Sequence, residues 1–364
     1  MPRYLFSSHD GFGLGHTRRN SLIAHALLDA DETAEVVLVT GLASDRSWLR
    51  HPRLRAVEVP GLVKDGSGAY CHPTMSVRAA VAHRAAVFTQ LVDAFKPDVV
   101  IVDRHPYGTF GELRRGLLRA RLRGAALVLG LRDVLDEPAR VSGELDGGSW
   151  VGVQEIYTDV LVYGSPDICD HQSEYGLPVE PHYCGWVAPA PPPAAQVDPH
   201  LLVVAAGGGA DGRAVYRLGA DLTVERPQWH ATILSGPFTG GDRVDTGRVR
   251  HVVDPPDPLA YLARAGAVVE MAGYNSTVEA LVSGVRPILV PRRAPRREQA
   301  IRAQRLMSLG LADMVDAEAG AAEVAWLLDK PRRLAPDALA RAGVRLDGAR
   351  TAADHIASLA WVTA

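Results

Sequence analysis

Three alternating glycines run into a histidine in the segment Ser8-His9-Asp10-Gly11-Phe12-Gly13-Leu14-Gly15-His16-Thr17. Glycines so placed permit a tight turn and let backbone N–H groups approach an anionic or hydroxyl-bearing ligand. His16 stands where this loop becomes a helix, with Leu22, Ile23, Ala26 and Leu27 recurring behind it at helical spacing. An imidazole there can take a proton from a hydroxyl, and the adjoining helix end favours its neutral form. The plain alternatives are a histidine that caps the helix and a turn that packs helix on strand. The spacing is not that of a nicotinamide site, because the third interval of GxGxxG fails.

Three further loops carry groups suited to phosphate and sugar. Gly207-Gly208-Gly209 has almost no side chains and can hold a diphosphate through backbone donors. Met271-Ala272-Gly273-Tyr274-Asn275-Ser276-Thr277-Val278-Glu279 opens a helix, where Gly273, Asn275, Ser276 and Thr277 offer amides, a helix dipole and outward hydroxyls. Glu279 follows Ser276 at the spacing of a capping box, so its carboxylate either closes the helix end or accepts from the two ribose hydroxyls. In Pro291-Arg292-Arg293-Ala294-Pro295-Arg296-Arg297-Glu298-Gln299, Glu298 and Gln299 suit sugar hydroxyls while Arg296 and its neighbours offset phosphate charge. Each loop alone also reads as an ordinary turn, cap or solvated basic stretch. Together, on one sheet edge, they describe a nucleotide-sugar pocket.

The elements that must position these loops are short apolar runs with helix-length segments between them. The first set spans 3–7, 35–40, 55–59, 98–103, 125–130 and 158–163, and the second 201–206, 229–234, 248–253, 267–271 and 286–290, with a weaker run near 312–315. Runs of this length without alternation predict parallel strands buried on both faces. Strands alternating with helices specify right-handed crossovers, hence an α/β fold of two Rossmann-like domains with parallel sheets facing across a cleft. Trp186-Val187-Ala188-Pro189-Ala190-Pro191-Pro192-Pro193 reads as a stiff break between them. The expected division is a first domain over 1–188, a Pro-rich linker over 189–199, a second domain over 200–340, and a helical segment over 341–364 packing back on the first.

A length of 364 residues fits two domains, and 47% apolar with 22% charged residues fits a globular chain. A formal charge of -3 gives no general attraction for nucleic acid, which excludes it as a partner. Cys71, Cys169 and Cys184 are too few and too scattered for a disulfide framework or a zinc site. With no apolar run long enough to span a bilayer, the expected address is the cytoplasm. Arg114, Arg115, Arg119, Arg121 and Arg123 among leucines read as a solvated helix face, with weak peripheral membrane contact as the alternative. The composition leaves the oligomeric state open.

With these residues in view, the second half resembles the donor domain of the MurG-type glycosyltransferases, of GT-B architecture (glycosyltransferase family 28). It is still more similar to a branch of predicted bacterial glycosyltransferases. The Gly273-to-Glu279 interval matches the family's glycine-to-glutamate interval, which implies that Glu279 binds ribose. Pro291 to Glu298-Gln299 matches the family's paired glutamines on the donor sugar, with Glu298 replacing the first. Val253 falls where the family offers backbone groups to uracil. Gly13-Leu14-Gly15-His16 is similar to the Gly-Gly-His acceptor loop, which implies acceptor contacts at Gly13 and Gly15. Val100-Ile101-Val102-Asp103 and Leu131-Arg132-Asp133 resemble the closer branch, so Asp103 joins His16 as a candidate base, and Arg132 and Asp133 join the acceptor site. An aspartate after a strand is otherwise a turn or cap residue.

The resemblance implies inverting transfer of a hexosyl or N-acetylhexosaminyl group from a nucleotide-diphosphate sugar, UDP first, to a small-molecule or lipid-linked acceptor. It implies no cofactor beyond the nucleotide-sugar co-substrate and no metal. The only Asp-x-Asp, Asp29-Ala30-Asp31, lies after the first helix, away from these loops. Two other classes stay open: an epimerase or hydrolase on the same fold, and a non-catalytic nucleotide-sugar-binding partner protein.

Overall fold

A computed structural model describes residues 1–8, 14–43, 45–64, 69–207, 212–236 and 247–362. The chain divides into two compact units, Met1–Val187 with Asp347–Ala364, and Ala188–Leu346. In the first unit the strands are β1 (Arg3–Ser7), β2 (Glu35–Thr40), β3 (Leu54–Glu58), β4 (Val63–Lys64), β5 (Tyr70–Cys71), β6 (Val99–Asp103), β7 (Ala126–Arg132), β8 (Asp159–Tyr163) and β9 (Pro181–Tyr183). In the second they are β10 (Asp198–Ala205), β11 (His230–Ser235), β12 (Val249–Val253), β13 (Ala265–Glu270), β14 (Ile288–Leu289) and β15 (Asp313–Met314).

Both main sheets are parallel, ordered β3-β2-β1-β6-β7-β8-β9 and β12-β11-β10-β13-β14-β15. Each order reverses once, between β1 and β6 and between β10 and β13. In open α/β sheets such a switch point leaves a crevice at the carboxyl ends of the strands, where ligands bind. The apolar runs account for the sheets: every residue of β6 is buried, and β10 sends Leu202 and Val204 into one core and Leu201 and Val203 into the other. Each fully buried Val or Leu contributes roughly 1.5–3 kcal/mol.

Several boundaries differ from expectation. β14 keeps only Ile288–Leu289 of the run 286–290, because prolines at 287 and 291 cannot donate to a ladder. The two-residue hairpin β4–β5 and the short β9 carry no periodic signal. Of the expected helical segment over 341–364, Gly348–Val362 forms a helix within the first unit, while the residues up to Leu346 belong to the second. Among the described residues no helix is long and apolar enough to cross a membrane.

The first helix, α1 (Gly15–Ala30), buries Ile23, Ala24, Leu27 and Leu28 rather than the Leu22 and Ala26 side of the pattern. Its first turns are buried too, but with polar residues. Thr17 meets Thr40 at 2.7 Å, hydroxyl to hydroxyl, and the Asn20 amide donates to the Ser8 hydroxyl at 2.8 Å. The helix therefore enters over the ends of β1 and β2 through hydrogen bonds and settles on apolar packing only later.

Candidate active site

At the switch point of the first unit, the second residue of α1 meets the last residue of β6. His16 Nδ1 lies 2.7 Å from Asp103 Oδ2. Asp103 is buried and the His16 side chain is 20% exposed. One turn further along α1, three residues on and hence on the same face, Arg19 Nη2 donates to Asp103 Oδ1 at 2.7 Å and Oδ2 at 2.8 Å. Burial opposes the charge on Asp103, but the Arg19 guanidinium and then His16 outweigh it and hold the carboxyl well below the usual carboxylate range. Asp103 is thus an anion and can only accept. Its bond to Nδ1 requires that nitrogen to carry the hydrogen, so in the neutral tautomer the lone pair is on Nε2.

The surrounding backbone holds this arrangement. Immediately after Asp103 the chain turns at Arg104, a non-glycine residue with φ 74° whose N–H donates to Gly130 O at 2.8 Å. Left-handed backbone at such a residue is costly and persists only where neighbours enforce it. The Arg19 guanidinium lies 5.3 Å over the Tyr163 ring at the end of β8, and a Cβ on Gly130 of β7 would collide with that same ring. Arg132 and Asp133 follow at the end of β7. Arg132 Nη2 donates to Leu135 O at 3.4 Å, while Asp133 is fully buried, 2.7 Å from where a Cβ on Gly164 would lie. With no exposed surface, Asp133 stands as part of the wall and not where an acceptor would touch it. Gly15 begins α1, and Gly13 lies outside the described residues.

In the second unit, the corresponding switch point brings the loop after β10 beside the turn after β13. Gly207 takes φ 69°; Gly208 and Gly209 lie outside the described residues. The helix Tyr274–Val282 starts from Gly273 as its N-cap, without a side-chain cap. The capping box expected of Ser276 and Glu279 is absent, since Ser276 is the third helical residue and not the cap. Its hydroxyl lies 3.2 Å from both Met271 O and Gly273 O, folded back on the turn instead of pointing outward. Thr277 is fully buried and its hydroxyl has no hydrogen-bond partner among the described residues. Asn275 and Glu279 are half-buried on the same helix. A helix start capped by glycine alone suits an anion by its amides and dipole.

The turn is tied to the third loop by a residue outside the expected set. Arg302 is fully buried, donates from Nη1 to Ala272 O at 2.7 Å, and lies 5.8 Å over the Tyr274 ring. Its helix, Glu298–Ser308, opens with Glu298 and Gln299, which fold the preceding loop: Gln299 Oε1 accepts from Arg292 N at 3.0 Å and Glu298 Oε1 from Arg292 Nη2 at 3.3 Å. Arg296 is half-buried in that loop. Val253 is 52% exposed at the end of the edge strand β12.

Glu270, the last residue of β13, was invisible as a candidate. Alternation along the strand puts it on the face of Val268, under the helix Tyr274–Val282. It is fully buried, and neither carboxyl oxygen has a hydrogen-bond partner among the described residues. Burial, and after it the Glu279 carboxylate, raise it well above the usual carboxylate range. It is held as the neutral acid.

No family model matches the chain, and no curated protein matches it. Solved structures do. The glycotransferase of kitacinnamycin is 15% identical, with 99% of each chain covered and a TM-score of 0.65. The glycosyltransferase SnogD from Streptomyces nogalater is 19% identical over 100% of this chain and 99% of its own, with a TM-score of 0.59. MurG of Acinetobacter baumannii is 14% identical over 100% and 99%, with a TM-score of 0.56. The chain has the GT-B fold. In this GT-B chain the two switch points hold the residues the sequence singled out: His16 with Asp103 in one unit, and Gly207 with Gly273 to Glu279 in the other. Among the described residues no group of three or more His, Cys, Asp or Glu is placed to hold a metal ion.

Proposed function

We infer that the protein is a glycosyltransferase. It moves a hexosyl or N-acetylhexosaminyl group from a nucleoside-diphosphate sugar, UDP by resemblance, to an acceptor hydroxyl, with inversion at the anomeric carbon and without a metal. The observation that carries this reading is the 2.7 Å contact of His16 Nδ1 with a buried, charged Asp103 at the switch point of a GT-B unit. In the neutral tautomer that this contact selects, Nε2 is the candidate base.

In the step, the acceptor O–H proton passes to Nε2 of His16 as the acceptor oxygen bonds to the anomeric carbon. The bond from that carbon to the diphosphate oxygen breaks, and the nucleoside diphosphate leaves with the electron pair. Asp103 offsets the positive charge that the ring gains. The leaving group is received in the second unit by the glycine-capped start of the helix Tyr274–Val282, with Arg296 as the candidate cation of the 291–297 loop. Glu279 takes the ribose hydroxyls and Gln299 the sugar. A protonated Glu270 behind this helix start places no second negative charge against the phosphates. Glu298 and Gln299 also brace the loop that carries the arginines, so their substitution would loosen donor binding in two ways.

The test is a thermal-shift panel of nucleotides and nucleotide sugars followed by product analysis. A ligand that binds only the folded state raises the melting temperature, by about 2.7 kcal/mol of stability at a hundredfold excess over Kd. UDP or a UDP sugar should do so, and Glu279→Ala should remove the response. Sugar released to water or epimerised in the absence of any acceptor would assign the site to hydrolysis or epimerisation instead. A chain stabilised by no nucleotide at all would contradict the donor site.

A further inference from the structure

The amino end of the second sheet holds a charge cluster that the transfer reaction does not use. Asp313, the first residue of β15, meets three cations. Its Oδ1 accepts from Arg286 Nη2 at 3.2 Å and lies 3.7 Å from Lys330 Nζ, and its Oδ2 accepts from Arg332 Nη2 at 2.7 Å. Arg286 stands two residues before β14, while Lys330 and Arg332 lie in the strap that leaves the short turn Ala325–Asp329. The donor loops follow the carboxyl ends of this parallel sheet, so the cluster occupies its opposite edge.

Two features set the cluster apart from a structural clamp. The strap is already fixed through its backbone: Arg286 N donates to Arg332 O at 2.7 Å, Leu334 N donates to Gly284 O at 2.9 Å, and Val285 bridges to Arg333. The cations also exceed what one carboxylate can satisfy, since three positive charges against one negative leave a formal excess of two. The carboxylates that flank the strap are engaged elsewhere, Asp329 with Arg226 at 2.8 Å and Asp337 with Arg341 at 2.8 Å. Arg332 is only 2% exposed at its side chain, yet its Nε and Nη1 have no hydrogen-bond partner among the described residues, and neither has Arg286 Nε. An N–H group buried without an acceptor is costly, and each one in a native fold calls for a cause. The rim reaches solvent through Arg286 and Lys330, 30% and 38% exposed, and the Lys330 ammonium lies 4.1 Å from the centre of the exposed Trp326 ring.

We propose that this cluster binds a dianionic phosphoryl group, held between Arg286 and Lys330 with Arg332 behind it, at a site separate from the donor pocket. Two negative charges cancel the excess, and several phosphate oxygens accept at once from the forked donors of two guanidinium groups. A carboxylate would leave one charge unmatched. Free phosphate and the phosphate of a monoester present the same group.

The test is calorimetric titration of the full chain at constant ionic strength and about pH 8, where a phosphate monoester is a dianion. Inorganic phosphate should bind and acetate should not. Arg286→Gln and Lys330→Gln should each weaken phosphate about tenfold while keeping the nucleotide response. Asp313→Asn removes the competing carboxylate and should tighten phosphate about threefold or more. Phenyl phosphate bound more tightly than phosphate assigns the source to a monoester, and equal or weaker binding assigns it to free phosphate. Phosphate that does not bind, or binds wild type, Arg286→Gln and Lys330→Gln alike, overturns the proposal. If Asp313→Asn does not fold, the other two variants decide, since both of those side chains reach solvent. Phosphate binding lost in Glu279→Ala but kept in Lys330→Gln would move the anion to the donor pocket and also overturn the proposal. A chain that answers to no nucleotide yet binds phosphate through Lys330 would instead fault the donor reading and leave this site standing.

Discussion

Asp103 and Glu270 occupy the same place in the two units and have opposite fates. Each is the last residue of the strand just across the switch point, β6 beside β1 and β13 beside β10, and each is buried. In the first unit α1 returns a cation and an imidazole to the strand end, so the carboxyl is charged and holds both. In the second unit no described residue offers a hydrogen bond, and Glu279 adds repulsion, so the carboxyl holds its proton. An unpaired charge out of water costs more than taking up a proton, which costs about 1.4 kcal/mol for each pH unit above the free carboxyl value. Topology therefore determines where a carboxyl sits, and the helix that follows the neighbouring strand determines what it can do.

Experiments can break this contrast at either end. The largest expected effect is on chemistry: His16→Ala should lower kcat/KM by about 10²- to 10⁴-fold in a steady-state transfer assay. Next is Asp103→Ala, which removes the carboxylate from the buried Arg19 and should cost about 3–5 kcal/mol by denaturant unfolding. Because the Asp103 carboxyl is depressed on folding, the stability it contributes is present above its unfolded value and lost as pH falls below it, so the variant and wild type should converge in acid. Loss of the nucleotide response in Glu279→Ala comes third and is read as a missing melting-temperature shift.

The smallest effect is the most diagnostic for the second unit. Glu270 is raised on folding, so above its unfolded value the folded state binds a proton that the unfolded state has lost, and stability falls as pH rises towards the folded value. Glu270→Gln cannot titrate. Its stability relative to wild type should grow with pH through that window, by at most about 1.4 kcal/mol per pH unit, the limit for one proton. A gap independent of pH would mean that Glu270 has a partner and is charged.

Much of this was legible in the residues. The run 35–40 gave β2 at its true bounds and 98–103 gave β6 to within a residue, because strands buried on both faces leave an unbroken apolar stretch. His16 and Asp103 were each visible as chemistry, but as rival bases. Only the order of strands, which puts β6 beside β1, brings them into contact as one pair. Arg19 and Arg302 were missed because an arginine in an amphipathic helix reads as solvent-facing, and what buries each is a partner from another element. The capping box at Ser276 failed for a local reason. Gly273 already starts the helix, and the rule reads a spacing, not a backbone conformation.

The helix Gly348–Val362 lies against α1, and its start is pinned to the first unit: Val187 bridges to Asp347, Gly348 N donates to Trp186 O at 3.0 Å, and a Cβ on Gly348 would meet Trp186 C at 2.6 Å. The second unit is thus threaded into the first between residues 187 and 347. During synthesis, which proceeds from the amino end and lets domains fold as they emerge, the inserted unit has all its residues before the outer one does. The helix bearing His16 and Arg19 receives part of its backing from residues 348–362, which leave the ribosome after the whole second unit, so the second unit can fold before α1 is fully covered.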